Sequence, residues 1–163
     1  MLILVLIMLI KHIKVEPEIC YYLCDKIGMV VFQDMVNNSD YSFFRDTALP
    51  TANFKRKNDR NTHKNEESRK RFACGMKSTF ERLDDYNCIC LWTIFNEGWG
   101  QYDDERIYNE LKELDSTRLY DTASGWFRSK KSDFQSEHIY FKPLKLKHDG
   151  RPLVLSEFGG YSS

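Results

Sequence analysis

The 163-residue sequence predicts an α/β fold in which crossover helices connect the strands of a parallel sheet. Hydrophobic runs that suit buried strands alternate with segments whose apolar residues recur at helical spacing. This order is typical of parallel sheets. An open doubly wound sheet and a (β/α)8 barrel both fit the pattern. The chain has neither of the glycine-rich phosphate loops expected of an open nucleotide-binding sheet, which favours the barrel.

Six strand candidates support this prediction. They are Met1 to Ile10, Met29 to Phe32, Cys88 to Phe95, Arg118 to Thr122, His138 to Phe141, and Pro152 to Leu155. The first run is too short for a membrane helix, which needs about 20 residues, and we interpret it as a strand buried on both faces.

Three helices are predicted between the strands. The first has Pro17 in its first turn and stops at Gly28, residue types that favour a helix start and a helix end. The third opens with acidic residues, which suit the positive end of a helix dipole. Their apolar positions, in chain order, are Ile19, Tyr22, Leu23 and Ile27; Phe72, Met76, Phe80 and Leu83; and Ile107, Tyr108, Leu111 and Leu114.

Composition excludes several functional classes. The 24 basic and 24 acidic residues balance, which argues against a nucleic-acid partner. The apolar start lacks a preceding basic residue and a following cleavage site, so we expect no signal peptide, no membrane partner and a cytoplasmic location. The five cysteines form no C-x-x-C pair, and we expect reduced thiols, no cofactor and no bound metal. The sequence does not indicate the oligomeric state.

Polar and aromatic residues follow the predicted strands. In a parallel barrel the carboxyl ends of all strands meet on one face, where active sites are built. Amides, carboxylates and indole rings converging there would suit a sugar, which has both hydroxyl groups and apolar C–H faces. The candidates are His12, Asp34, Asn96, Glu97, Trp99, Trp126, His138, Tyr140 and Glu157.

Glu97 and Glu157 are the central pair of this set. Each follows a hydrophobic strand, and two further strands lie between them in the chain. Glycoside hydrolysis needs two such carboxyl groups, one to protonate the leaving oxygen and one to attack the anomeric carbon or activate water. A lone strand-end glutamate is more often a salt-bridged rim residue, but the pair favours catalysis.

Four segments resemble glycoside hydrolase family 2, which comprises β-galactosidases, β-glucuronidases and β-mannosidases. Thr93 to Gln101, which contains Asn-Glu-Gly-Trp-Gly, is similar to the acid/base segment of the family. Val154 to Gly159, which contains Ser-Glu-Phe-Gly, is similar to its nucleophile segment. Lys11 to Pro17 and Gly28 to Met35 resemble its second and third barrel strands. The four segments occur in the family's order.

The resemblance implies a retaining double displacement. Glu97 would be the general acid and then the general base, and Glu157 would be the nucleophile. Asn96 would bind the sugar 2-hydroxyl, and Tyr140 would hydrogen-bond the nucleophile and keep it ionised. His12 would match a histidine of the substrate pocket.

Four further candidates have two interpretations each. Trp99 and Trp126 could stack on sugar rings or pack within loops. Asp34 could bind a substrate hydroxyl or cap a loop. His138 could line the pocket or belong to the core.

The length leaves alternatives open. A complete barrel typically takes about 250 residues. We therefore expect residues 1–163 to form a single incomplete catalytic barrel domain, without the first and last barrel strands and without the β-sandwich domains that precede the barrel in the family. The leading hypothesis is a glycosidase that acts on β-linked sugars in carbohydrate metabolism. The alternatives are a truncated, non-catalytic remnant and a carbohydrate-binding fragment.

Overall fold

The computed structural model describes residues 7–37, 42–49, 64–97, 101–125, 129–140 and 143–159. These ranges contain six strands, three α-helices and a short π-helical segment, Phe43–Ala48. The elements are β1 Met8–Lys11, α1 Glu18–Ile27, β2 Val30–Asp34, α2 Glu66–Leu83, β3 Ile89–Phe95, α3 Asp104–Leu114, β4 Leu119–Ala123, β5 Gln135–Tyr140 and β6 Leu153–Gly159.

All described strand pairs are parallel. The first four strands form a sheet in the order β1-β2-β3-β4, and β5 pairs with β6. A backbone hydrogen bond from Asp133 N to Tyr120 O, 3.0 Å long, links the start of β5 to β4. The predicted α/β class, a partial TIM barrel with crossover helices, is confirmed.

The core lies between the four-stranded sheet and the helices. Trp92 and Phe95 of β3 are fully buried. The ring of Phe95 stacks on Phe72 of α2 with centroids 5.0 Å apart, and the ring of Trp92 lies 5.6 Å from that of Phe80. β3 therefore has covered faces on both sides, as its continuous apolar sequence predicts for a central parallel strand.

Helix α1 ends where predicted and begins one residue later than predicted. Pro17 is its N-cap rather than part of its first turn, and Gly28 ends it in the left-handed conformation at φ +72°, where its N–H donates to carbonyls of the last turn. That conformation carries no steric penalty for glycine.

The apolar face predicted for α1 is not the face that packs on the core. Tyr21 and Cys24 are the buried residues of the helix. The Tyr21 hydroxyl donates to Oε1 of the fully buried Gln33 at 2.6 Å, and this polar contact sets the orientation of the helix because a buried amide needs a partner. The exposed residues are Ile19, Tyr22, Leu23 and Ile27.

The prediction that the first strand is buried on both faces is wrong for the part that the structure describes. Met8 is 40% exposed and Ile10 38% exposed. Within the described ranges β1 pairs only with β2, so it is an edge strand of the sheet. Residues 1–6 lie outside the described ranges.

None of the helices in the described ranges combines the length and the apolar character needed to cross a membrane.

Candidate active site

Polar side chains from five strands line one cavity at the carboxyl ends of the sheet. The cavity is continuous with solvent and occupies about 330 Å³. Its polar lining comes from Asp34, Thr93, Asn96, Asp121, Ser124, His138, Ser156 and Glu157. Parallel strands bring these residues together although they are far apart in sequence.

Glu157 lines this cavity, and Glu97 lies close to Glu157. Glu97 lies two residues after the end of β3. Glu157 lies within β6 rather than after it, which extends that strand beyond the predicted bounds. One carboxylate oxygen of each residue lies within 4.8 Å of the other. The two carboxyl groups therefore share one small volume.

A β-bulge places His138 opposite Glu157. Glu137 pairs with Leu155, and the next pair is His138 with Glu157, so Ser156 is the extra residue on β6. Bulges re-aim side chains and are frequent beside active sites.

Hydrogen-bond donors surround the Glu157 carboxylate. The Tyr140 hydroxyl donates to Oε2. His12 Nδ1 lies 3.4 Å from Oε1. Burial acts to raise the pKa of Glu157, but the contacts with His12 and Tyr140 and the nearby His138 outweigh it and lower the pKa to about 2. Burial, and then the contact with Glu157, raise the pKa of Tyr140, so its hydroxyl keeps the proton that it donates.

Asp34 holds the loop that carries His12. Its Oδ2 accepts the Ile13 N–H at 3.1 Å and lies 3.4 Å from His12 Nδ1. The contact with Asp34, followed by that with Glu157, raises the pKa of His12 to about 10 against the opposing effect of burial. His12 is therefore a cation at neutral pH. Asp34 contacts Ile13 and His12 of the same loop, as a loop-capping residue would.

Ile13 adopts a strained backbone conformation beside this contact. Its φ is +48°, in the left-handed region that β-branched residues rarely occupy. Such strain persists where surrounding contacts require it and is often found at functional sites.

The main contact of Glu97 is with His138, and Tyr140 interacts with Glu97 as well as with Glu157. Its Oε2 lies 2.8 Å from Nδ1 of His138, whose side chain is fully buried. The contact is short but is not aligned as a straight hydrogen bond. Neither atom has another hydrogen-bond partner in the part of the chain that the structure describes.

Gly125 makes room for this contact. A Cβ atom at Gly125 would lie 2.5 Å from His138 Nδ1 and 3.0 Å from Glu97 Oε2. Its φ of +72° also favours glycine. Gly125 was not among the predicted site residues, although its place three residues after the fourth predicted strand was a usable signal.

Asn96 is tied to the same group of residues through Ser124, which the sequence analysis did not list as a site residue. The Ser124 hydroxyl donates to Asn96 Oδ1 at 3.1 Å and lies 2.8 Å from His138 Nε2. This leaves the Asn96 amide nitrogen to donate elsewhere. Its binding to a sugar 2-hydroxyl remains a prediction.

The comparison with family models decides the affiliation. A model described as "Glycosyl hydrolases family 2, TIM barrel domain" matches residues 15–158. The chain belongs to glycoside hydrolase family 2. Its general class is therefore that of a glycosidase, and the resemblance noted from the sequence is confirmed. No curated protein matches the chain.

The family 2 match includes Glu97, Tyr140 and Glu157, but it begins after His12. The contact of His12 with Glu157 is therefore supported by the structure and not by the family match. Trp99 and Trp126 lie outside the described residues, and their stacking on sugar rings remains a prediction.

Three side chains of this family 2 site are of types that bind metal ions. Ligand-type atoms of Glu97, His138 and Glu157 lie within 4.8 Å of one another. However, two ligands of a tetrahedral zinc ion would lie about 3.4 Å apart, given metal–ligand bonds of about 2.1 Å. Glu97 Oε2 and His138 Nδ1 are 2.8 Å apart, which is shorter than the spacing of two zinc ligands and is typical of two atoms that share a proton.

Asp121 forms the buried floor of the cavity. Burial raises its pKa to about 7, although a hydrogen bond with Ser136 acts in the opposite direction. The sequence placed Asp121 within a predicted strand, but only the packing of neighbouring strands around it explains why this acid is desolvated.

Proposed function

We propose that this chain is a retaining β-glycosidase that hydrolyses β-linked sugars, with β-galactosides as the first substrates to test. Glu157 is the nucleophile and Glu97 is the general acid and then the general base. The observation that carries the proposal is the pair of adjoining carboxylates, whose principal contacts differ although His138 and Tyr140 neighbour both. Glu157 lies among hydrogen-bond donors, whereas Glu97 lies against a buried imidazole.

The separation of the two carboxylates supports retention. Retaining enzymes hold their carboxyl groups about 5–5.5 Å apart, whereas inverting enzymes need about 6.5–9.5 Å to admit a water molecule. Carboxylate oxygens of Glu97 and Glu157 lie within 4.8 Å of each other. This spacing leaves Glu157 to attack the anomeric carbon directly.

The charge state of Glu157 supports its role as nucleophile. A nucleophilic carboxylate must be ionised at working pH, and the pKa of Glu157 is held at about 2. The cationic His12 and the Tyr140 hydroxyl maintain that state while leaving the carboxylate 28% exposed to the cavity.

Two further residues take the substrate-binding roles. Asn96 directs its amide nitrogen at the sugar 2-hydroxyl, a contact that strengthens in the oxocarbenium-like transition state. His12 is half exposed beside the nucleophile and can contact a substrate hydroxyl as well. Asp34 orients His12.

The first test is an assay of the full chain on 4-nitrophenyl β-galactoside, β-glucuronide and β-mannoside. We expect turnover of at least one substrate, abolished by Glu157→Gln and by Glu97→Gln. Absence of turnover contradicts the proposal. If the chain then melts cooperatively and binds sugar, it is a carbohydrate-binding fragment, and if it does not melt cooperatively it is a non-catalytic remnant.

A trapping experiment tests the mechanism. An activated 2-deoxy-2-fluoro β-glycoside reacts slowly in the second step because the fluorine destabilises the oxocarbenium-like transition state. We expect intact-mass spectrometry to show one glycosyl adduct, and peptide mapping to place it on Glu157. An adduct elsewhere, or turnover with inverted stereochemistry, would contradict the assignment.

A further inference from the structure

His138 is fully buried between the two carboxylates, and the mechanism above gives it no role. Its Nδ1 lies 2.8 Å from Glu97 Oε2, and its Nε2 lies 2.8 Å from Ser124 Oγ. Nε2 also lies 3.8 Å from Glu157 Oε1. Both ring nitrogens therefore face groups of the catalytic centre.

The hydrogen bond between Ser124 and Asn96 determines the tautomer of His138. A serine hydroxyl has a single proton, and that of Ser124 is donated to Asn96 Oδ1. Towards His138, Ser124 Oγ can only accept. His138 Nε2 therefore carries a proton.

This tautomer leaves His138 Nδ1 to share a proton with Glu97. When the ring is neutral, Nδ1 has an unshared lone pair, and this atom lies 2.8 Å from Glu97 Oε2. Two lone pairs 2.8 Å apart would repel, so one proton resides either on Glu97 Oε2 or on His138 Nδ1. In both states the pair holds one exchangeable proton.

Titratable groups on three other elements face this pair. Glu157 faces the ring from β6, and the buried Asp121 lies near it on β4. Tyr140, on the same strand as His138, lies beside the ring with centroids 6.1 Å apart and also interacts with Glu97. His12 contacts Glu157 from the loop after β1.

We propose that His138 is a positioning residue that stores the acid proton of Glu97, with Ser124 holding the imidazole in the required tautomer. This inference rests on the proposed function.

The proton balance follows the two steps of the reaction. When Glu157 forms its bond to the anomeric carbon, the glycosidic oxygen keeps the bonding electrons and takes the proton of the Glu97–His138 pair. When water attacks the anomeric carbon, the bond to Glu157 breaks and the water proton returns to the pair.

Leaving-group kinetics test the proposal. His138→Asn removes the titrating ring. We expect kcat/KM for a 4-methoxyphenyl glycoside to fall about 10- to 100-fold, the range for loss of a hydrogen bond to a charged group. A 2,4-dinitrophenyl leaving group needs no proton, so its loss should stay below about threefold. The basic limb of the pH profile should move to lower pH.

A matched control separates this role from packing. His148→Asn is the same substitution at an exposed histidine whose Nδ1 accepts the Gly150 N–H. We expect it to change neither the rate nor the pH profile. Equal losses with both leaving groups in His138→Asn, with an unchanged basic limb, would overturn the proposal.

Ser124→Ala keeps the imidazole and removes the acceptor that fixes its tautomer. We expect the same pattern at smaller size, about three- to tenfold on the methoxyphenyl glycoside. An unchanged pattern in this variant contradicts the assigned role of Ser124, and it serves as the decisive variant if His138→Asn does not fold.

Nuclear magnetic resonance tests the proton store without turnover. Nitrogen-15 shifts of the histidine rings, with His138 assigned through His138→Asn, should show Nε2 protonated and an Nδ1 signal that changes in Glu97→Gln. An unprotonated His138 Nε2 would overturn the inference even if the enzyme is active. A chain that turns over none of the three glycosides overturns the proposed function instead.

Discussion

Glu97 and Glu157 are chemically identical side chains whose principal contacts differ. Glu157 accepts a hydrogen bond from Tyr140 and lies beside His12, groups that favour a negative charge. Glu97 lies against the buried ring of His138, in a space kept open by Gly125, and shares Tyr140 as a neighbour. The roles proposed for the two carboxylates therefore depend on their neighbours rather than on the carboxylates themselves.

The largest expected effect comes from removing each carboxylate in turn and adding azide as an external nucleophile. Glu157→Ala should abolish hydrolysis, and added azide should restore reaction with an activated glycoside to give the α-glycosyl azide. Glu97→Ala should lose about 10²- to 10⁴-fold on poor leaving groups, and azide should give the β-product. Nuclear magnetic resonance measures the stereochemistry of each product. A β-product from Glu157→Ala and an α-product from Glu97→Ala would mean that the two proposed roles are reversed.

Gly125→Ala tests the Glu97 side of the comparison. Its Cβ would lie 2.5 Å from Nδ1 of a fully buried ring, so we expect His138 and Glu97 to separate and kcat/KM to fall at least about tenfold. Gly28→Ala is the matched control, since Gly28 has the same φ of +72° but has no atom within 4 Å of the added Cβ. Both should lower the melting temperature through backbone strain, but only Gly125→Ala should lose activity. Equal activities of the two variants would show that activity does not require the close contact of His138 with Glu97.

Tyr140→Phe tests the Glu157 side. The variant removes a donor to the ionised carboxylate, so the pKa of Glu157 should rise and the acid limb of kcat/KM should move to higher pH. We expect a loss of about 10- to 100-fold, the range for a hydrogen bond to a charged group. An acid limb in the wild-type position would show that Tyr140 does not maintain the charge of Glu157.

His12→Asn should act in the same direction with a smaller effect. The imidazole is 52% exposed, so solvent screens its charge. We expect less than about a tenfold loss and a smaller shift of the acid limb than in Tyr140→Phe. A pH titration of kcat/KM at low and high ionic strength measures this, because salt should reduce the difference between wild type and variant. A shift larger than that of Tyr140→Phe would contradict the ranking.

The same residue makes stability depend on pH. The pKa of His12 is raised from 6.5 to about 10, so its stabilising effect is complete below pH 6.5 and is lost as pH rises through about 10. Urea unfolding of wild type and His12→Asn should therefore differ most near pH 6 and converge above pH 10. A constant difference would mean that the contacts of His12 with Asp34 and Glu157 do not stabilise its charged form.

Much of the fold was predictable because it depends on local patterns. The run Cys88 to Phe95 is apolar except for Thr93, and Ile89–Phe95 forms β3, which is buried at every position except Cys90. The four apolar positions of the second predicted helix are the buried residues of α2. The face of α1 was not predictable from hydrophobicity, because the residue that orients the helix is Tyr21, which packs its ring and pairs its hydroxyl with Gln33.

The candidate site was also predictable only in part. Strand-end positions and residue types were enough to select Glu97, Glu157, Tyr140 and Asn96. They were not enough to find the contact of Glu97 with His138, since that contact requires a bulge at Ser156 and a glycine at 125.

Local patterns were enough to predict the order of strands and helices, the family and the two candidate carboxylates, because each is carried by one continuous segment. The groups beside each carboxylate could be found only from the three-dimensional arrangement of the strands. Those neighbours come from different strands, and their effects on charge depend on distances of a few ångströms and on exclusion of water. The chemical difference between Glu97 and Glu157 therefore arises when the strands assemble.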